Sequence, residues 1–193
     1  MARPRTFDEA TVVAAARNTF WRRGFAATSI TDLEEATGLG RTSLYKAFGD
    51  KESLYFRTLA EYQTNGRQLL RDALAVGSTA AEGIRTLFEL ALANLTDDVD
   101  RRGCFLVNAG TERACLSDRI VEFLADNRER FVQTLQEHIE AGQQRGELVA
   151  VDAHTLANSL FMVYSGLGSM SRTAASRDEL RRALDFTLRG LAL

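Results

Sequence analysis

From Arg41 to Phe48 the chain reads RTSLYKAF, and five of those side chains are donors or hydrogen-bonding groups: Arg41, Thr42, Ser43, Tyr45 and Lys46. On a helix of 3.6 residues per turn, Leu44 and Phe48 fall on one side and leave the polar set on the other. A surface of that kind can dock against acceptors on base edges and phosphates. The alternative is a solvated face of a small helical bundle. The chain's two lysines, Lys46 and Lys51, bracket the end of this segment and the start of the next. Residues 1–52 carry eight Lys and Arg against seven Asp and Glu, whereas the remainder carries sixteen against nineteen, so the basic excess lies at the front. Other chemistry is poorly supplied. Walker A, G-x-S-x-G and G-x-G-x-x-G motifs are absent, and Gly38-Leu39-Gly40 has no preceding strand, which leaves an enzyme without a motif. Two His and two Cys without paired spacing predict no metal and no cofactor.

The elements that must position these residues follow from breakers and caps. Pro4 is the single proline in 193 residues, and apolar residues recur at three and four almost everywhere after residue 7, which predicts an all-α chain. The first helix spans about 7–23 and stops at Gly24; Thr28 and Ser29 offer caps for a short second helix ending at Gly38. Arg41–Phe48 forms a third, and Asp50 caps a fourth that reaches into the seventies. A fifth ends near Asn94, a short sixth follows Gly103 through Arg113, and Ser117 caps a long seventh ending at Gly146. Asp152 caps the eighth, and the S-x-x-E box of Ser176 and Glu179 opens the ninth. Two short helices joined by a glycine-containing turn and propped by a longer one make a helix-turn-helix, which sets its second short helix in the DNA major groove. With 45% hydrophobic and 26% charged residues and no apolar run near the roughly 18 a membrane span needs, a soluble, cytoplasmic protein is expected. A net charge of -2 and a pI near 5.8 argue against coating nucleic acid nonspecifically.

The stretch from Thr28 to Leu54, TSITDLEEATGLGRTSLYKAFGDKESL, with Phe20, Gly24 and Phe25 upstream, resembles the DNA-binding segment of the tetracycline-repressor (TetR) family of bacterial transcriptional regulators. The resemblance implies a nine-helix fold, with a DNA-binding domain over 1–52 and a ligand-binding and dimerisation domain over 53–193. It also implies a homodimer, a double-stranded operator as partner, and a small-molecule effector that releases it. Thr28 matches a position where a hydroxyl and a helix N-terminus meet a phosphate. Tyr45 and Lys51 match phosphate contacts, while Arg41, Thr42 and Lys46 occupy groove-facing positions. Three residues depart from the family pattern. Gly40 replaces a hydroxyl cap at a cost of a few tenths of a kcal/mol. Thr42 replaces a small residue, and Ala47 replaces a frequent His or Tyr. These departures motivate the alternative of a ligand-binding or interaction protein with a non-functional reading head. Arg3 and Arg5 are candidates for a minor-groove arm or a disordered tail.

The remaining helices carry stripes suited to a dimer interface: Leu156, Leu160, Val163 and Leu167 on the eighth, and Leu180, Leu184 and Leu188 on the ninth. Facing their own core is the alternative. Phe88, Leu92, Cys104, Phe105, Asn108, Thr111, Phe131, Phe161 and Tyr164 are candidate pocket residues, with plain core as the alternative. In Arg101-Arg102-Gly103-Cys104, arginines and a helix start would lower the thiol pKa, giving a candidate sensor of electrophiles or oxidants; an inert buried cysteine is the alternative. A disulfide from Cys104 to Cys115 is not expected, since eleven helical residues span about 16 Å.

Overall fold

Side-chain caps open six of the nine described α-helices and fix where those begin; Ser117, expected to cap the seventh, instead donates its hydroxyl to Glu52 at 2.6 Å. The computed structural model describes residues 7–173 and 176–191, and Arg3 and Arg5 lie outside them. Among the described residues there are nine α-helices. Helix α1 spans Glu9–Arg23, two residues later than expected, because the Asp8 carboxylate accepts from Thr11 N at 3.1 Å and so sets the first turn. Helix α2 spans Ile30–Thr37, opened by a capping box of Ser29 and Asp32 and closed by Gly38 in the left-handed region at φ +70°. Helix α3 is Arg41–Phe48, and α4 is Lys51–Ala75 behind the Asp50 cap. Capping boxes also open α5, Ala80–Thr96, and α9, Arg177–Leu188. Helix α6 is Phe105–Thr111, shorter than expected: Glu112 N bonds back only three residues to Ala109 O, and the chain tightens into a 3-10 turn over Arg113–Cys115. Helices α7, Asp118–Gln144, and α8, Ala153–Met170, run against each other.

Two apolar clusters hold these helices. The front one joins Val12, Ala16 and Phe20 of α1, Leu33 of α2 and Leu44 of α3 to Leu54, Tyr55 and Leu59 of α4. Phe105 and Ala109 of α6 and Ile120 of α7 complete it, with the Phe105 ring 5.6 Å from Trp21 and 5.7 Å from Tyr55. The front core is therefore closed by residues far beyond position 52, and α4 belongs to both clusters. The rear cluster packs α5 against α7, α8 and α9.

The rear cluster corrects the expected dimer stripe. Leu160, Leu167, Leu180, Leu184 and Leu188 are buried inside their own chain, and Leu156 and Val163 are half-buried against the same core. The reason is geometric: α9 has one apolar stripe, and it is needed to cover α5. The exposed side of these helices instead carries Met162 (66% exposed) and Met170 on α8 and Phe186 (77% exposed) on α9.

Candidate nucleic-acid interface

Helix α3 has no hydroxyl at its N-cap, because Gly40 stands there. The orphan donor is satisfied from elsewhere: Glu34 of α2 accepts from Arg41 N at 2.5 Å, which also ties α3 to α2. Leu44 is buried against α1 and α4, which turns Arg41, Thr42, Ser43, Tyr45 and Lys46 outward, all exposed. Among the described residues, no intrachain hydrogen bond or ion pair occupies those five side chains. The other basic groups of the front helices are spent: Arg17 pairs with Glu61, Arg22 with Asp100 and Arg23 with Asp32. Arg41 and Lys46 are thus the charges this face has left to offer a polyanion.

Two residues assigned to phosphate contact sit differently. Thr28 is 1% exposed and its hydroxyl donates to Gly24 O at 2.6 Å, so the cap of α2 is Ser29, and the Thr28 side chain faces inward. Lys51 Nζ donates to Phe25 O and Thr28 O, both at 2.8 Å, and lies 4.3 Å from the centre of the Phe25 ring. Two of its three donors are used inside the chain, so it braces the α1–α2 turn. From the opposite side, the Glu112 carboxylate accepts from Phe25 N at 3.2 Å and Ala26 N at 3.0 Å. Gly24, at φ +82°, leaves room for that carboxylate; a Cβ there would run into it. Nothing in the sequence marks Glu112, which lies 87 residues from Phe25.

Behind the front core, α1, α4, α5, α6, α7 and α8 line a cavity of about 860 Å³. Of the nine candidate pocket residues, Cys104, Phe131, Phe161 and Tyr164 line it, with the Phe131 ring 5.3 Å from Phe161 and 4.9 Å from Tyr164. The other five candidates are elsewhere. Phe88 and Leu92 belong to the rear core and Phe105 to the front core. Asn108 is used structurally, donating to Arg102 O at 2.7 Å and accepting from Arg172 at 3.1 Å, while Thr111 donates to Asn108 O. In their place stand Arg17 and Trp21 of α1 and Tyr62, Gln63 and Arg67 of α4. Spacings of four, Arg17 to Trp21 and Gln63 to Arg67, put each pair on one helix face and were the available signal.

The thiol of Cys104 is half-buried. Burial pushes its pKa up, with Tyr62 OH 3.9 Å from Sγ as a weak partner. Of the two arginines before it, Arg102 is engaged with Asp98 and Asn18 and lies over the Trp21 ring. Cys104 and Cys115 are both free. His138 meets Ala80 O at 3.0 Å, and His154 meets Gln136. Among the described residues no group of three His, Cys, Asp or Glu could hold a metal.

Residues 12–58 match the family described as bacterial regulatory proteins, tetR family, and residues 80–187 match the tetracyclin repressor-like C-terminal domain. The chain belongs to the TetR family. It is similar to the HTH-type transcriptional repressor ComR of Escherichia coli (strain K12), at 31% identity over 97% of this chain and 90% of that one. Among solved structures it is similar to the TetR-family regulator CifR, a cysteine mutant in complex with 26-bp double-strand operator DNA: TM-score 0.87, 32% identity, 97% of this chain and 98% of that one. A TetR-family regulator from Agrobacterium tumefaciens shares the fold at TM-score 0.87 and 16% identity, covering 95% of this chain and 97% of that one. This TetR-family chain is accordingly an all-α helix-turn-helix transcriptional regulator whose relatives are regulators. No described helix is long and apolar enough to cross a membrane.

Proposed function

We propose that this TetR-family regulator is a homodimeric cytoplasmic repressor without catalytic activity, holding a palindromic operator through α3 and releasing it when a small molecule fills the cavity. The observation that carries this reading is the face of α3, where Arg41, Thr42, Ser43, Tyr45 and Lys46 are exposed and unengaged. Residues 1–52 supply the DNA-binding unit and 53–193 the effector-binding and dimerising unit. Phe105, Ala109 and Ile120 join the two mechanically.

One such head makes few base contacts, and a twofold partner presents a second α3 about 34 Å away along the duplex. The exposed Met162, Met170 and Phe186, with Gly166 open to close approach, support α8 and α9 as the surface a second copy covers. The cavity touches α1 and α4 directly, so an occupant that prefers one arrangement of these helices shifts the heads; one binding both arrangements equally shifts nothing.

The test is selection from a random double-stranded DNA library by the purified protein. Enrichment of a palindrome, with affinity falling linearly in log salt at a slope of about -0.9 per neutralised phosphate, is the expected result. Absence of any enriched sequence would return the molecule to an interaction protein with an idle reading head.

A further inference from the structure

Among the described residues, four buried side-chain polar atoms lack a hydrogen-bond partner: Arg17 Nε, Trp21 Nε1, Gln63 Nε2 and Arg67 Nε. All four are N–H donors, and the four side chains that carry them line the 860 Å³ cavity. Gln63 is 6% exposed, so its amide cannot turn to bulk water for a partner. Leaving a buried donor unpaired costs about 1–3 kcal/mol each, and buried orphan atoms that are all donors are complementary to a ligand that brings acceptors.

Charge narrows the class. Five arginines line the cavity, Arg17, Arg67, Arg71, Arg128 and Arg130, against one carboxylate, Glu137. Their partners Glu61, Asp126 and Glu129 stand outside the lining; counting these three as well still leaves one positive charge in excess. The rest of the wall is aromatic, with Trp21, Tyr62, Phe131, Phe161 and Tyr164 offering ring faces and edges. We infer that the cavity takes an organic monoanion, a carboxylate carried on an aromatic body, with the carboxylate among Arg17, Gln63 and Arg67 and the ring among Phe131, Phe161 and Tyr164. A guanidinium fork matches a carboxylate in plane and charge, and a single negative charge balances the single excess. This inference rests on the cavity being the effector site, and it adds the chemistry of the effector.

Trp21 is the chain's only tryptophan, so its fluorescence reports the cavity without a label. The probes are 3-phenylpropionate, its neutral amide, the matching amine 3-phenylpropylamine, and ring-free hexanoate, each titrated into the full-length protein. The acid is expected to give a saturable change in Trp21 emission at a concentration at least about tenfold below that of the amide, the amine or hexanoate. Arg67→Gln should erase the preference of acid over amide. Should that variant melt early, Gln63→Met serves as the second test and should weaken the acid at least about tenfold. The inference is overturned if the amide or amine binds as tightly as the acid, or if no probe gives a saturable response up to about 10 mM. Operator binding is read in parallel. An acid that binds without loosening the operator supports the ligand class and removes the release mechanism, whereas an amide that alone releases the operator overturns the class and keeps the mechanism.

Discussion

Lys51 illustrates how a residue's chemistry depends on what already occupies its donors. Its ammonium holds two carbonyls of the α1–α2 turn, so Lys51→Met should cost about 1.5–3 kcal/mol in urea unfolding, the range for hydrogen bonds from a charged donor. Operator affinity should fall at every sequence alike, because the turn that carries α2 loosens. A lysine serving only as a phosphate contact would lower affinity and leave the unfolding midpoint in place, so measuring both separates the roles. Arg41 is the opposite case: its side chain makes no hydrogen bond or ion pair inside the chain. Arg41→Ala should leave stability within about 0.5 kcal/mol and cost about 1–3 kcal/mol at the preferred operator, relaxing base preference at one position per half-site. Gly40 offers a third check. Its φ of -67° and the absence of any atom closer than Glu34 Oε1 at 3.9 Å leave room for a side chain, so Gly40→Ser should stabilise α3 by a few tenths of a kcal/mol by calorimetry.

At the scale of elements, the α1–α2 turn is gripped by Lys51 from α4 and by Glu112 from the end of α6, which makes the reading head answer to two helices of the cavity wall. Glu112→Ala frees Phe25 N and Ala26 N, and amide exchange at those two positions should accelerate while α5 and α9 keep their protection. Helix ends were legible in the sequence because a cap is a local event: Ser29, Asp50, Asp152, and Ser176 with Glu179 stand where the chain pattern puts them, whereas Thr28 and Ser117 turn their hydroxyls to other partners. Glu112 and the Glu34 cap of α3 were not legible, since a contact between distant or differently facing segments leaves no periodic trace. The caps also set an acid response. Hydrogen bonds from Ser29, Thr155 and Ser176 hold Asp32, Asp152 and Glu179 below their usual carboxylate values, and Arg145 with Ala80 N holds Glu147 at about 2. A carboxyl depressed in the folded state stabilises fully above its unfolded value and loses that contribution as pH falls through the folded value. The melting temperature followed by helical circular dichroism should therefore stay level between about pH 7 and 5 and decline below about 4.

Across the whole molecule, the question of what pairs two heads turns on which side of α8 and α9 faces out. Leucine spacing identified both helices as seams, but periodicity gives the width of an apolar stripe and not its partner, and the leucines proved to be the seam within one chain. The two sides make opposite predictions. Leu184, 1% exposed in the rear core, should on truncation to Ala lose about 2–5 kcal/mol of folding stability through lost burial and the cavity left behind. Phe186, two residues on and so about half a turn round the helix, should on change to Glu leave the folding of the chain nearly untouched, since its ring is already in solvent. Burying that carboxylate against a second copy without a cation would instead oppose association by several kcal/mol, and Met162→Glu should do the same. Sedimentation velocity should then show a monomer for both glutamate variants, and operator affinity should collapse to that of a single head even though α3 is unaltered. If Phe186→Glu remains a dimer with full operator affinity, the second copy sits on another surface, and the spacing of the two α3 helices has to be derived from that surface instead.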